Sequence, residues 1–205
     1  MKKGYFITFE GAEGSGKSTQ IRNAVAFLKK KGRSVVMLRE PGGTRISEAI
    51  RAILLDKHLK EMAHVTELLL YLAARAQIVG EKILPALQKG KVVISDRFED
   101  STRAYQGFGR RLSLEAIEQA SKLVRGALKP DLTFVLDIDI KKGLKRGGRY
   151  DRIELESLSF HERVRRGFLA VAKKEPRRVM VLDASEPVEI VSRKILERLE
   201  RVFGQ

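Results

Sequence analysis

Cysteine is absent from this 205-residue chain, which excludes a disulfide framework and a thiolate metal site. The histidines, His58, His64 and His161, are too scattered to suggest a metal site either. No apolar run is long enough to span a bilayer, and the opening Met1-Lys2-Lys3-Gly4-Tyr5-Phe6-Ile7 leads into a strand-like segment without a small-residue cleavage site. The expectation is a soluble, non-exported, cytoplasmic protein that makes no membrane contact. Repeats, low-complexity tracts and long Pro/Gly/Ser linkers are missing too, so nothing marks a domain boundary. With 43% apolar residues the chain can bury one substantial core, and a single domain over residues 1–205 is expected. Acidic residues are in short supply: 41 Lys and Arg stand against 26 Asp and Glu, a net charge of +15. Such an excess fits a polyanionic partner or a site for multiply phosphorylated ligands. The basic residues are spread along the whole length, which weakens the nucleic-acid reading, and a charged fraction of 33% also suits a surface rich in ion pairs.

What is present is an alternation of β-rich apolar runs with helical periodicity, the pattern of a parallel sheet covered by helices on both faces. The expected strands are Tyr5 to Glu10, Ser34 to Leu38, Val92 to Asp96, Leu132 to Asp137 and Arg178 to Leu182. Helices are expected over Lys17 to Lys31, Ser47 to Leu55, Val65 to Gln88, Ser113 to Ala127, Leu155 to Lys174 and Pro187 to Phe203, with Gly32, Gly90 and Pro130 as breakers. The helix from Val65 is apolar over more than one stripe, so it is either deeply buried or partly in an interface. Two arginine-bearing segments, Arg39 to Thr44 and Arg146 to Arg152, each follow the carboxyl end of an expected strand, where ligands bind in open α/β sheets.

The sharpest signal is Gly11-Ala12-Glu13-Gly14-Ser15-Gly16-Lys17-Ser18, followed by Thr19. It fits the phosphate-loop pattern and lies between an apolar strand and a helix, the context that gives the pattern meaning. Glycines let backbone N–H groups turn around phosphate oxygens, and the helix N-terminus adds a favourable dipole. Lys17 would reach the β and γ phosphates of ATP, and the Ser18 hydroxyl would coordinate Mg²⁺. A guanine-reading Asn-Lys-x-Asp segment is absent, and the third strand ends in Asp96-Arg97-Phe98, which argues against a GTPase. Asp96 can hold Mg²⁺ through water, and Arg97 can pair bidentately with an acceptor phosphate.

Taken in order, the loop Gly11 to Thr19, Arg39-Glu40-Pro41-Gly42-Gly43-Thr44, Tyr71-Leu72-Ala73-Ala74-Arg75, Asp96-Arg97-Phe98 and Ser101-Thr102-Arg103-Ala104-Tyr105-Gln106-Gly107 resemble thymidylate kinases over essentially the whole chain. The resemblance implies a P-loop kinase fold with a five-stranded parallel sheet, a short arginine-rich lid at about residues 146–155, a homodimer, and transfer of a phosphoryl group from ATP to dTMP with Mg²⁺. It implies that Tyr71, where the family usually has Phe, stacks on thymine and that Arg75 bonds the base. Thr102 and Gln106 match positions near the base or its 5-methyl side, and Tyr105 matches the residue that crowds the ribose 2′ position. Glu13 matches a carboxylate that bonds the acceptor's 3′-hydroxyl; Arg39, Arg51 and Arg97 match positions around the acceptor phosphate, beside Pro41. A cis Glu40–Pro41 bond is also implied by the family loop.

A phosphate acceptor is already a nucleophile, so the chemistry asks for positioning and charge neutralisation. Lys17 and Arg97 supply part of that charge. Some thymidylate kinases add an arginine inside the phosphate loop, but that position here is Gly14. The resemblance therefore directs attention to the lid, where Arg149 comes first and Arg146 second, with Arg152 in the same cluster. The rivals are a kinase for another deoxynucleotide or nucleoside and a nucleic-acid-binding P-loop ATPase. The latter has no need of Tyr71, Arg75 or the Tyr105-Gln106-Gly107 segment.

Overall fold

The computed structural model describes residues 4–147 and 151–204. Among these residues, strands β1 (Tyr5–Gly11), β2 (Val35–Arg39), β3 (Val92–Asp96), β4 (Leu132–Asp137) and β5 (Val179–Asp183) form one parallel sheet in the order β2-β3-β1-β4-β5. β1 and β4 are interior strands buried on both faces, which explains their near-continuous apolar runs. The edge strand β2 leaves Met37 exposed.

The helices are α1 (Lys17–Lys30), α2 (Arg45–Leu55), α3 (His64–Ile78), α4 (Leu84–Gln88), α5 (Glu99–Thr102), α6 (Leu114–Arg125), α7 (Ile140–Gly147), α8 (Leu158–Lys174) and α9 (Val188–Phe203). Alternate residues of each strand face opposite layers. On one face, Ile7, Phe9, Ile94 and Phe134 pack against Ile21 and Leu28 of α1 and Ile195 and Leu199 of α9. On the other, Phe6 and Val93 meet Ile78, Val79 and Ile83, while Val135 meets Phe160, Val164 and Phe168 of α8.

The expected elements are all found, with bounds shifted where local chemistry decides. The third helix was expected to run unbroken to Gln88, but a π-helical turn, Val79–Ile83, separates α3 from α4. Pro85 has no N–H, and its ring crowds the carbonyl four residues earlier, so a wider turn ahead of it relieves the conflict. The helix expected from Leu155 begins at Leu158, because Ser157 caps it and Asp151 Oδ1 accepts from the N–H groups of Ile153 and Glu154 (both 2.9 Å) to hold a separate turn. Three elements were not expected: α5, a π-helical segment Arg103–Gly109, and α7.

Candidate active site

The phosphate loop leaves the carboxyl end of β1 and opens α1. Gly16, the residue before the helix, is left-handed with φ 87°, a conformation glycine adopts without strain. Ser15 Oγ donates to the Ala12 carbonyl at 2.8 Å, closing the loop on itself. Lys17 folds back over it, donating to the carbonyls of Gly11 (3.2 Å) and Ala12 (3.1 Å). Burial, then the nearby Arg97, lowers the Lys17 pKa.

The next strand over ends in the same place. Phe9 of β1 and Arg39 of β2 both flank Asp96 at the end of β3. Arg97 then adopts φ 72°. This left-handed turn is held from three sides: Arg97 N–H donates to the Phe9 carbonyl (2.9 Å), Ser95 Oγ donates to the Arg97 carbonyl (2.8 Å), and Phe98 N–H donates to Glu10 Oε1 (2.8 Å). The guanidinium is thereby aimed at the phosphate loop, where it donates to the Gly11 carbonyl (2.9 Å) and to Ser101 Oγ (3.2 Å) and pairs with Glu13. Burial pushes the Glu13 carboxyl up, but Arg97 and Lys17 outweigh it and hold the pKa at about 2. Glu10, fully buried inside the sheet end, is raised by burial and by Asp100.

A second wall comes from α3 and the Arg103–Gly109 segment. Arg75 is buried at 2% exposure; its Nε donates to Glu40 Oε2 (2.7 Å), its Nη1 donates to Thr102 Oγ1 (2.8 Å), and its guanidinium lies over Phe98. Tyr105 stands under the Arg97 guanidinium, 5.1 Å from ring centre to its carbon. Burial raises the phenols of Tyr71 and Tyr105, so both remain protonated. Gln106 Nε2 donates to Glu67 Oε1 at 2.9 Å.

Arg39 and Arg51 both donate to the Pro41 carbonyl, at 3.3 and 2.9 Å, and Arg39 also pairs with Glu48. Burial and Arg39 lower the Arg51 pKa, the mark of two cations crowded together. The Glu40–Pro41 bond is cis.

These walls enclose a cavity of about 450 Å³. Glu13, Gly14, Ser15, Gly16, Lys17, Ser18 and Thr19 line one end; Arg39, Pro41, Arg51, Tyr71, Arg75, Asp96, Arg97, Thr102, Tyr105 and Gln106 line the rest, and Arg146 reaches the rim. Gly11 and Ala12 lie behind the wall, where their carbonyls receive Lys17. Arg149 falls outside the described residues. Arg152 corrects the expected lid cluster: it is buried, donating from Nε to the Leu54 carbonyl (3.1 Å) and pairing with Glu67 (2.7 Å), so it anchors the segment instead of reaching the cavity.

Sequence reasoning missed Glu10, Glu40 and Glu67, buried acidic residues that hold, in turn, the Phe98 N–H with Ser101, Arg75, and Gln106 with Arg110. For Glu10 and Glu67 the signal was a carboxylate inside an otherwise apolar strand or helix stripe, Glu67 standing four residues before Tyr71. For Mg²⁺ the fit is good. Ser18, in the first turn of α1, is exposed, and Asp96, which lines the same cavity, has a buried Oδ1 with no hydrogen-bond partner, so the two supply hard oxygen donors near the phosphate loop. Among the described residues no group of three or more His, Cys, Asp or Glu could hold a metal ion.

A phosphate loop at the centre of a parallel sheet, sharing one cavity with a cluster of arginines, defines an ATP-dependent nucleoside monophosphate kinase of the P-loop class. The family model described as thymidylate kinase matches residues 9–195. A thymidylate kinase of Geobacter sulfurreducens is 50% identical over 205 residues, covering 96% of each chain. One from Pelotomaculum thermopropionicum is 48% identical over 98% of this chain and 95% of its own. The crystal structure of thymidylate kinase from Ehrlichia chaffeensis superposes with a TM-score of 0.76 at 34% identity, covering 96% of this chain and 99% of that one. The chain belongs to the thymidylate kinase family, and the reaction it catalyses is transfer of the γ-phosphoryl group of ATP to dTMP, giving dTDP and ADP.

Proposed function

We propose that the two ends of the cavity divide the work, with the phosphate loop from Gly11 to Thr19 holding ATP and the wall of Tyr71, Arg75, Thr102, Tyr105 and Gln106 holding the deoxynucleoside. The observation that carries this reading is Arg97, fixed between the two ends and hydrogen-bonded to the loop carbonyl of Gly11. An arriving acceptor phosphate competes with Glu13 for its guanidinium. Arg39 and Arg51, already crowded on the Pro41 carbonyl, add charge on the same side, and Glu13, released, accepts from the 3′-hydroxyl. The Tyr71 ring offers a face for thymine, and Tyr105 leaves no room for a 2′-hydroxyl.

The acceptor phosphate oxygen attacks the γ-phosphorus directly, so no side chain removes a proton. Lys17 leaves the loop carbonyls for the β and γ phosphates and neutralises charge as the phosphoryl group moves. Ser18 and, through water, Asp96 would hold Mg²⁺, which would supply positive charge to offset the repulsion between the phosphates. The lid arginines Arg149, first, and Arg146, second, meet the transferring group in place of the arginine that Gly14 does not supply.

The chain is read as one domain acting in the cytoplasm as a homodimer. Val65 and Leu69, four residues apart on α3 and 55% and 57% exposed, form an uncovered apolar pair that suits a second copy. A coupled assay of ADP release against a panel of nucleoside monophosphates and nucleosides tests the substrate reading. Turnover should be fastest with dTMP, and equal rates with a ribonucleotide or a nucleoside would overturn the assigned pocket.

A further inference from the structure

Glu67 touches neither end of the cavity, yet it contacts the residue that closes the base wall. It is fully buried on α3 at 0% exposure, on the same helix face as Tyr71 and Arg75, four and eight residues later. Its Oε1 accepts from Gln106 Nε2 (2.9 Å) and Arg110 Nε (3.1 Å); its Oε2 accepts from Arg110 Nη2 (2.9 Å) and pairs with Arg152 Nη1 (2.7 Å). Burial alone would favour the neutral acid, but the arginines and the amide hold the Glu67 pKa below the ordinary glutamate value. An ionised carboxylate only accepts hydrogen bonds. Only the NH₂ end of the Gln106 amide can therefore face it, whichever way an unconstrained amide would turn.

We infer that Glu67 is a positioning residue that locks the Gln106 amide with its carbonyl oxygen toward the cavity, so that the base wall accepts an N3–H pyrimidine and rejects cytosine. The inference rests on the reading that Gln106 meets the base. Arg75 lines the same cavity, with Nε engaged by Glu40 and Nη1 by Thr102, leaving Nη2 to donate. The wall thus offers one acceptor and one donor. Thymine and uracil present N3–H and O4, which complement that pair. Cytosine presents a bare N3 and an N4 amine, which oppose both. With Glu67 neutral, the amide gains freedom to turn over and offer its NH₂ to the cytosine N3, leaving Arg75 alone to discriminate.

Calorimetric dissociation constants for dTMP and dCMP in the wild type, Glu67→Gln, Gln106→Met and the double variant test this directly. Glu67→Gln should lower the preference for dTMP over dCMP by about 10-fold to 100-fold, the usual effect of one mispaired buried group. Gln106→Met should lower it as well, and adding Glu67→Gln to Gln106→Met should change it no further. A folded Glu67→Gln protein with an unaltered preference, or with both ligands weakened equally, refutes the positioning role. An unaltered preference in Gln106→Met instead shows that Gln106 does not meet the base, which removes the reading beneath it. Should Glu67→Gln not fold, the wild-type Gln106 side-chain NH₂ resonance decides, assigned by its loss in Gln106→Met. It should be exchange-protected in the free enzyme and barely shift when dTMP binds; a large shift on binding means that the amine, not the carbonyl, meets the base.

Discussion

Arg97 occupies a backbone conformation that a side chain with a Cβ adopts only when neighbours enforce it, and the enforcing groups sit at the ends of β1 (Phe9 and Glu10) and β3 (Ser95). Its ion pair with Glu13 has a pH signature. Because Glu13 is held at about 2 in the fold against an ordinary 4.5, its charge stabilises the folded protein above pH 4.5, and that contribution is lost as pH falls toward 2. Glu13→Gln should therefore show a shallower loss of stability between those limits, read from thermal unfolding at each pH. At the same scale, Arg149→Ala should cut kcat by about 10³-fold to 10⁵-fold with dTMP affinity nearly unchanged, with Arg146→Ala the next largest loss. Rapid-quench turnover alongside equilibrium dTMP binding separates the two effects, and an undiminished kcat in Arg149→Ala would remove it from the mechanism.

At the scale of elements, the π-helical segment Arg103–Gly109 carries both Tyr105 and Gln106 onto the cavity wall. The segment rests on α8 at Gly167, where an added methyl would stand 2.9 Å from Ala104 Cα and 3.0 Å from the Phe108 ring. Gly167→Ala gains helix propensity of about 1 kcal/mol but overpacks this contact, for a net loss of about 1 to 2 kcal/mol. Urea unfolding measures that loss, and the dTMP KM should rise with it if the proposed base wall of Tyr105 and Gln106 shifts. A variant as stable as the parent would show that the contact relaxes freely.

At the scale of the whole molecule, the basic residues serve two ends. Some line the cavity, and others are held in partly buried ion-pair networks such as Arg103 with Glu99, Asp100, Glu118 and Glu175. The apolar pair Val65 and Leu69 remains outside either use. If a second copy covers it, Leu69→Glu should convert a dimer to a monomer in sedimentation velocity while the fold, followed by circular dichroism, is retained. A wild type that sediments as a monomer would contradict the assembly.

The sequence alone was enough for the strand count, for the strand ends that border the cavity, and for nearly all the cations and aromatics that line it. The strands and the phosphate loop follow from period and glycine spacing, which are local, and the remaining cavity-lining residues from the resemblance to thymidylate kinases carried by short motifs. Only the tertiary structure decided that Arg152 is an anchor, that the third helix widens before Pro85, and that Glu10, Glu40 and Glu67 set the direction of the groups around them. A carboxylate's role depends on which donors the fold brings within 3 Å of it from distant segments, as Glu67 meets Arg110 and Arg152. No pattern along the chain encodes that distance.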